Sequence, residues 1–385
     1  MIRNRDFIVF SDDWDRHPFS CQHIMKHFLP QNRILWVNTV GLRSPSLSFY
    51  DIKRSFEKIR SFFTEKGKSE DKPDNLWILN PFMVPYNKLK IVRTFNKYSV
   101  VRSIRYFIKN NKFINPIVIS TVPNAADHVK EFNDEMTIYY CIDDYTKSPV
   151  LDSSLVENME EKILRLSDLI IASSKDLCWK KKRGVKQPLF LPHGVDFEHF
   201  QIKGNEIPES MKHLSKPIIG FFGVISHWLD AGLIKYLAKS RPNWSFVFIG
   251  PTDIDLGIFR GLRNLYFLGK VPYNELPNYA VEFDVGIIPF LVNEFTASIN
   301  PLKLLEYLAC GLPVVSTDMP EVWNYSGVVC IAKDFEGFLS ELERSLKGNT
   351  LSREQERKGI ARQYSWVSIA EKLNAIIENN SGKSG

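Results

Sequence analysis

The sequence predicts an α/β protein built on parallel sheets, and three observations carry that prediction. Short runs rich in β-branched and aromatic residues recur along the chain, among them Phe7-Ile-Val-Phe, Ile34-Leu-Trp-Val-Asn, Ile117-Val-Ile-Ser-Thr-Val and Pro313-Val-Val-Ser-Thr. They are continuously apolar rather than alternating, as strands covered on both faces must be. Helix-length segments separate them, giving the strand, crossover helix, strand order of a parallel sheet. Finally, 385 residues suffice for two domains, each with its own core.

Composition narrows the class. With 44% hydrophobic and 24% charged residues the chain reads as globular, and no apolar run approaches the ~18 residues that cross a bilayer. The start, Met1-Ile-Arg-Asn-Arg-Asp, lacks the apolar core of a signal peptide, so a cytoplasmic location is expected. Cys21, Cys141, Cys178, Cys310 and Cys330 are odd in number and nowhere form a CxxC pair, which argues against disulfides and a zinc site. The net charge of +6 is uneven: residues 1–130 hold 22 Lys/Arg against 11 Asp/Glu, leaving the remainder net negative.

In chain order, the strand at Phe7 ends in Ser11-Asp-Asp-Trp-Asp-Arg-His-Pro, and a helix from about Phe19 to Phe28 leads to the strand at Ile34. Ligands of parallel sheets sit beyond the carboxyl ends of the strands, so Asp12, Asp13, Asp15, Arg16 and His17 are expected at the rim of a cleft. A helix around Phe56 and a charged loop from Thr64 to Asp74 precede the strand Leu76-Trp-Ile-Leu. From Lys88 to Lys112 stand eight basic residues and no acidic one: Lys88, Lys90, Arg93, Lys97, Arg102, Arg105, Lys109 and Lys112. This segment reads as one helix, or two broken near Ser99, able to dock on anionic lipid headgroups. No nucleic-acid module accompanies it. The strands at Ile117 and Thr137 end in Pro123-Asn124 and Asp143-Asp144-Tyr145, both facing the cleft, with Asp143 and Asp144 as acceptor-side or structural residues.

The polar stretch 201–215 reads as an interdomain linker, with the boundary at 203/204. The second domain opens on Pro217-Ile-Ile-Gly-Phe-Phe-Gly-Val-Ile, where Gly223 allows backbone to approach a phosphate ahead of a helix from about Asp230. The most informative block is Ser298-Ile-Asn-Pro-Leu-Lys-Leu-Leu-Glu-Tyr-Leu-Ala-Cys-Gly-Leu-Pro-Val-Val-Ser-Thr. Asn300 is the expected N-cap, Pro301 the first helical residue and Gly311 the left-handed stop, so the helix is short. Its free N–H groups and positive dipole end make an anion site. Lys303 adds a full charge, and Glu306 can accept two hydrogen bonds from a vicinal diol. Diphosphate plus ribose describes a nucleotide.

This block resembles the donor-binding motif of the retaining GT-B glycosyltransferases of family 4, the "group 1" type that includes bacterial surface-polysaccharide enzymes. The resemblance implies two Rossmann-like domains across a cleft: an acceptor-binding domain 1–203, a donor-binding domain 204–363, a helix 364–378 returning to the first domain, and a disordered tail 379–385. In that family the second Glu of a Glu-x7-Glu pair holds the ribose, which Glu306 matches, whereas Ser298 stands in place of the first. Gly269-Lys-Val-Pro is similar to the turn that cups the base, implicating Lys270, Val271 and Pro272. Gly223, Val224, Ser298, Ile299, Asn300, Pro301, Leu302, Lys303 and Glu306 complete the expected donor site, although Val224 and Asp230 stand where the family carries phosphate-binding cations. Leu191-Pro-His-Gly-Val-Asp is similar to the signature closing the first domain, with His193 in the usual Asn position.

The implied reaction moves a sugar from a nucleotide sugar, a UDP-sugar foremost, to a glycan or polyprenyl-linked acceptor with retention of configuration, without a metal or other cofactor. Asp15, His17, Lys303 and Glu306 are the catalytic candidates; Arg16, Pro123, Asn124, Asp143 and Asp144 are the acceptor-side ones. The eight cations from Lys88 to Lys112 imply a peripheral station on the inner face of the cytoplasmic membrane. The alternatives are an inactive nucleotide- or glycan-binding subunit and a sugar-nucleotide epimerase on the same fold.

Overall fold

A computed structural model describes residues 1–14, 19–39, 73–147, 151–184, 186–201 and 206–381. The chain divides into two compact units, one formed by Met1–Leu191 with Ile369–Gly385 and the other by Pro192–Ser368. The expected helix at Phe56 and most of the charged loop after it lie outside the described residues.

Unit 1 holds a seven-stranded sheet in the order β3-β2-β1-β4-β5-β6-β7. Its strands are β1 (Asp6–Ser11), β2 (Arg33–Asn38), β3 (Leu76–Leu79), β4 (Ile117–Ser120), β5 (Met136–Cys141), β6 (Leu169–Ala172) and β7 (Leu189–Phe190). Every pairing is parallel, with Phe7 opposite both Ile34 and Ile117. Chain order reverses at β1, which lies between β2 and β4, and such a switch point opens a crevice at the carboxyl strand ends. The crossovers include α1 (Ser20–Phe28), α2 (Lys90–Asn111), α3 (Ser153–Leu166, capped by the Asp152 side chain) and α4 (Lys175–Lys180). α2 is one unbroken helix through Ser99, closed by Lys112 in the left-handed conformation. The break near Ser99 therefore does not occur; Val100, Val101 and Ile104 pin the middle of the helix to the core.

Behind β5 lies an ion cluster that the sequence did not announce. Lys181 is 4% exposed, and its Nζ sits 3.0 Å from Asp144 Oδ1 and 2.8 Å from Glu160 Oε2. Glu160 also accepts from the Tyr139 hydroxyl at 2.9 Å. Burial works against the Lys181 charge, but its two carboxylate partners outweigh that and raise its pKa.

Unit 2 repeats the plan with six parallel strands in the order β10-β9-β8-β11-β12-β13. These are β8 (Ile218–Phe222), β9 (Ser245–Ile249), β10 (Leu265–Gly269), β11 (Val285–Ile288), β12 (Val314–Thr317) and β13 (Cys330–Ala332). The helices are α5 (Ala231–Ser240), α6 (Leu276–Ala280), α7 (Leu302–Ala309), α8 (Phe335–Gly348), α9 (Leu351–Gln363) and α10 (Trp366–Asn380). The unit starts at Pro192, ahead of the 203/204 boundary read from composition, because Val195, Phe197, Phe200, Met211 and Leu214 join its core. α10 begins in unit 2 and from Ile369 onward belongs to unit 1. None of the five cysteines is in a disulfide. Among the described residues no helix is long and apolar enough to cross a membrane.

Candidate functional site

At the carboxyl end of the second sheet three backbones converge. β8 passes into Gly223 (φ 140°), β9 into Gly250 (φ 143°), and α7 begins at Leu302. A Cβ on Gly250 would overlap the Gly223 carbonyl, and one on Gly223 would overlap Cε of Lys303. Both the backbone angle and the close approach demand glycine here. Lys303 thus runs directly across Gly223, with Nζ 6.0 Å from the centre of the Phe221 ring. Gly223→Ala should destabilise the fold by about 1–3 kcal/mol through backbone strain and push Lys303 aside, measurable by denaturant unfolding alongside donor binding.

α7 is held from behind. Leu304, Leu305, Tyr307, Leu308 and Ala309 are buried, and the Tyr307 hydroxyl accepts the Phe222 N–H at 3.1 Å. Lys303 and Glu306, one turn apart on the opposite side, remain half-exposed. The helix starts one residue later than its sequence suggests: Pro301 is the cap, with extended backbone (φ −76°, ψ 108°), and no side chain caps it. Asn300 is buried instead of capping, as is Ser298. Gly311 takes the expected left-handed conformation (φ 79°). Burial pushes the Glu306 carboxyl up to about 7, with Lys303 opposing. Burial lowers the Lys303 pKa, with Glu306 opposing. Among the described residues no carboxylate comes within ion-pair distance of Lys303.

The loop ahead of α7 is locked by Asn293, whose Oδ1 accepts the N–H groups of Phe295 and Thr296 at 3.0 Å each, while the Thr296 hydroxyl returns to the Leu291 carbonyl. Gly250 N–H donates to the Gly269 carbonyl at 2.7 Å, tying the Lys270-Val271-Pro272 turn to the same strand ends. Lys270 and Pro272 are exposed and Val271 half-buried. Val224 is exposed and Asp230 caps α5 through Leu233 N–H, so neither adds a cation.

Sequence reasoning missed Asp196, His199 and Tyr273. The His199 and Tyr273 rings stack with centres 4.4 Å apart, and His199 Nε2 bonds the Tyr273 carbonyl at 2.9 Å. Burial, then the charges of Glu306 and Asp196, push the Tyr273 phenol up, which places all three in one electrostatic neighbourhood. Their signal was present in the Leu191–Phe200 signature, but nothing in spacing ties His199 to Tyr273. His193, in that signature, is buried and its pKa is driven down to about 4 by desolvation.

In unit 1, Asp15, Arg16 and His17 lie outside the described residues. Asp12 is fixed by its carbonyl, which accepts from Trp36 Nε1 at 3.0 Å. The paired aspartates part ways. Asp143 is exposed, and desolvation of its carboxyl, then Asp12 and Asp144, push its pKa up to about 7. Asp144 turns inward to Lys181; burial works to raise its pKa, and the lysine, with Thr146 donating at 2.7 Å, outweighs it. An acceptor-side role for Asp144 is therefore replaced by a structural one. Pro123 is buried at the start of a 3-10 turn and Asn124 is half-buried.

A family model described as glycosyl transferases group 1 matches residues 216–347. A Bacillus subtilis (strain 168) protein named for teichuronic acid biosynthesis, the glycosyltransferase TuaH, is 29% identical over 234 residues, 57% of this chain; the match spans 59% of that relative's length. Three solved structures share the fold. Sucrose-phosphate synthase from Thermosynechococcus elongatus (TM-score 0.73, 12% identity) covers 99% of this chain and 100% of its own. The E. coli trehalose-6-phosphate structure bound with UDP-2-fluoro glucose (0.68, 13%) covers 97% and 98%. Anabaena HepE in complex with UDP and glucose (0.67, 12%) covers 98% and 100%. Its second unit is thus similar to the group 1 glycosyltransferases, and along its length the chain has the GT-B fold.

Proposed function

We propose that the chain transfers a sugar from a UDP-sugar to a glycan or polyprenyl-linked acceptor, with retention of configuration, in cell-surface polysaccharide synthesis. One observation carries the donor half of this reading. Lys303 is a half-buried cation without an ion-pair partner among the described residues, laid across a glycine at a helix N-terminus, and its surroundings lower its pKa. Such a charge is costly unless an anion completes it. A nucleotide diphosphate supplies one, and Glu306 three residues on is placed to accept the ribose hydroxyls. As the sugar–phosphate bond breaks, charge grows on the leaving oxygens, and the pre-oriented N–H groups with Lys303 stabilise it. The leaving phosphate then assists in deprotonating the acceptor on the same face, so no strong protein base is needed. Neutralisation by Lys303 and the helix makes a divalent ion dispensable, and turnover should survive a chelator.

The reading is tested by thermal shift with UDP, GDP, dTDP, ADP and CMP, since a ligand of the native state raises its melting temperature. UDP should give the largest shift, and a flat panel overturns the donor site. Glu306→Ala should weaken UDP binding roughly 30-fold or more, the worth of hydrogen bonds to a charged acceptor, without lowering the apo melting temperature. Wild-type UDP affinity in that variant overturns the ribose assignment. A pH profile adds a second check. With the Glu306 pKa near 7 and the ionised form the better acceptor, UDP affinity should rise about tenfold from pH 6 to pH 8. The sign for folding is opposite: the raised pKa means the native state holds this proton where the unfolded chain has lost it. This group's contribution to stability therefore falls as pH climbs from about 4.5 to 7. Glu306→Gln should flatten both trends.

A further inference from the structure

Eight cations between Lys88 and Lys112 suggest a broadly basic helix, but the structure divides them. Lys88 pairs with Asp152 at 2.6 Å, Arg93 with Asp127 at 2.8 Å, and Lys97 and Arg105 with Glu131 at 2.5 and 3.0 Å. Arg93 also makes a two-point contact with Asp127, whose other neighbour is Lys162 at 2.8 Å. Half of the basic count is thus answered by acids from a 3-10 turn, a loop and the α3 cap farther along the chain. What faces outward is different in kind.

Along α2, Ile91 is 85% exposed, Tyr98 62% and Tyr106 70%, with Phe95 at 45%. At 100° per residue these four, together with Arg102 and Lys109, fall within an arc of roughly 80°. Leu89, 58% exposed, and Phe82, edge-on to Phe95 at 6.0 Å, extend the stripe into the preceding segment. α2 contains no acidic residue, and the opposite face (Asn96, Val100, Ile104) is buried. The helix is therefore anchored by one side and presents, on the other, large apolar groups interleaved with cations.

We propose that this outward stripe of α2 docks on the interfacial layer of an anionic lipid bilayer, its Ile, Phe and Tyr side chains entering the headgroup region while Arg102 and Lys109 meet lipid phosphates. Aromatic rings with a polar tip settle at that depth, and cations beside them are attracted by anionic headgroups. A protein partner fits less well, because protein interfaces are depleted in lysine and an acid-free stripe on a convex helix offers no pocket for an anchor. The stripe belongs to unit 1 and the donor site to unit 2, and docking of the stripe holds whether or not the chain transfers a sugar.

The experiment is co-sedimentation of the full chain with phosphatidylcholine vesicles, with and without phosphatidylglycerol, at low and high salt. The wild type should pellet with the anionic vesicles, lose only part of its binding in high salt, and bind neutral vesicles weakly. Arg102→Gln/Lys109→Gln should weaken binding to anionic vesicles about 30-fold, the effect of two charges near the surface. Ile91→Ser/Tyr98→Ser/Tyr106→Ser should remove the salt-resistant part by more than tenfold. Lys88→Gln/Asp152→Asn, which deletes a closed pair and leaves net charge unchanged, should stay within about threefold of wild type. All these positions are exposed or on a helix cap that Asn can serve, so melting temperatures should hold. The proposal is overturned if the wild type ignores lipid charge, if the triple variant binds as the wild type does, or if the stripe variants instead abolish a self-association seen by gel filtration.

Discussion

Lys303→Met is expected to reduce kcat for sugar transfer by about 10²–10³-fold while leaving the protein as stable as before or slightly more so. The first half follows from the role proposed for Lys303, a charge aimed where negative charge develops: removing one such group typically costs that much in rate. The second half follows from the surroundings of the side chain. Burial lowers the Lys303 pKa, Glu306 lies beyond ion-pair distance, and the aliphatic stem packs over Gly223 near the Phe221 ring. Methionine keeps the stem and drops the half-buried charge. Steady-state kinetics with a UDP-sugar and thermal unfolding read the two effects separately. A variant that loses stability as well as activity would show Lys303 to be a packing residue, and one that keeps its rate would remove it from the chemistry.

Lys181→Met should act in the reverse sense, costing about 3–5 kcal/mol of stability, because it strands Glu160 inside unit 1 and leaves Asp144 only Lys180, at 3.6 Å. Asp144 and Glu160 are 4% and 3% exposed, and Glu160 is already committed to Tyr139. Denaturant unfolding monitored on unit 1 checks the magnitude. The triple variant Lys181→Met/Asp144→Asn/Glu160→Gln should recover much of the loss, since no charge is then left unpaired. Failure of that rescue would mean that Lys181 matters for its shape alone.

These two lysines show what a sequence can and cannot disclose. The place of Lys303 was legible because it is set locally: a cation in the first turn of a helix that follows small residues and precedes a carboxylate on the same face. Lys181 was not, since it sits in the run Lys180-Lys-Lys-Arg, which looks like solvated surface; its partners are 21 and 37 residues away and meet it only through the sheet. The strands were legible for the same local reason, with β1, β2 and β3 all found where apolar runs placed them. The α7 cap was misplaced by one position because Pro301 suits the first turn and also the extended residue before it. The basic helix was counted correctly and weighed incorrectly, since Asp127, Glu131 and Asp152 neutralise it from outside the window in which charge was tallied.

The route of α10 bears on how the molecule is made. Its last turns, with Ile369, Ala370, Leu373 and Ile377 all buried, belong to unit 1, and Asn374 accepts the Ile2 N–H at 2.5 Å. Unit 2 is thus an insertion between two pieces of unit 1. On the ribosome the earlier half stays unfinished until α10 emerges, while the inserted half has everything it requires beforehand. A stop codon in place of Ile369 should leave the inserted half folded and its neighbour open to proteolysis.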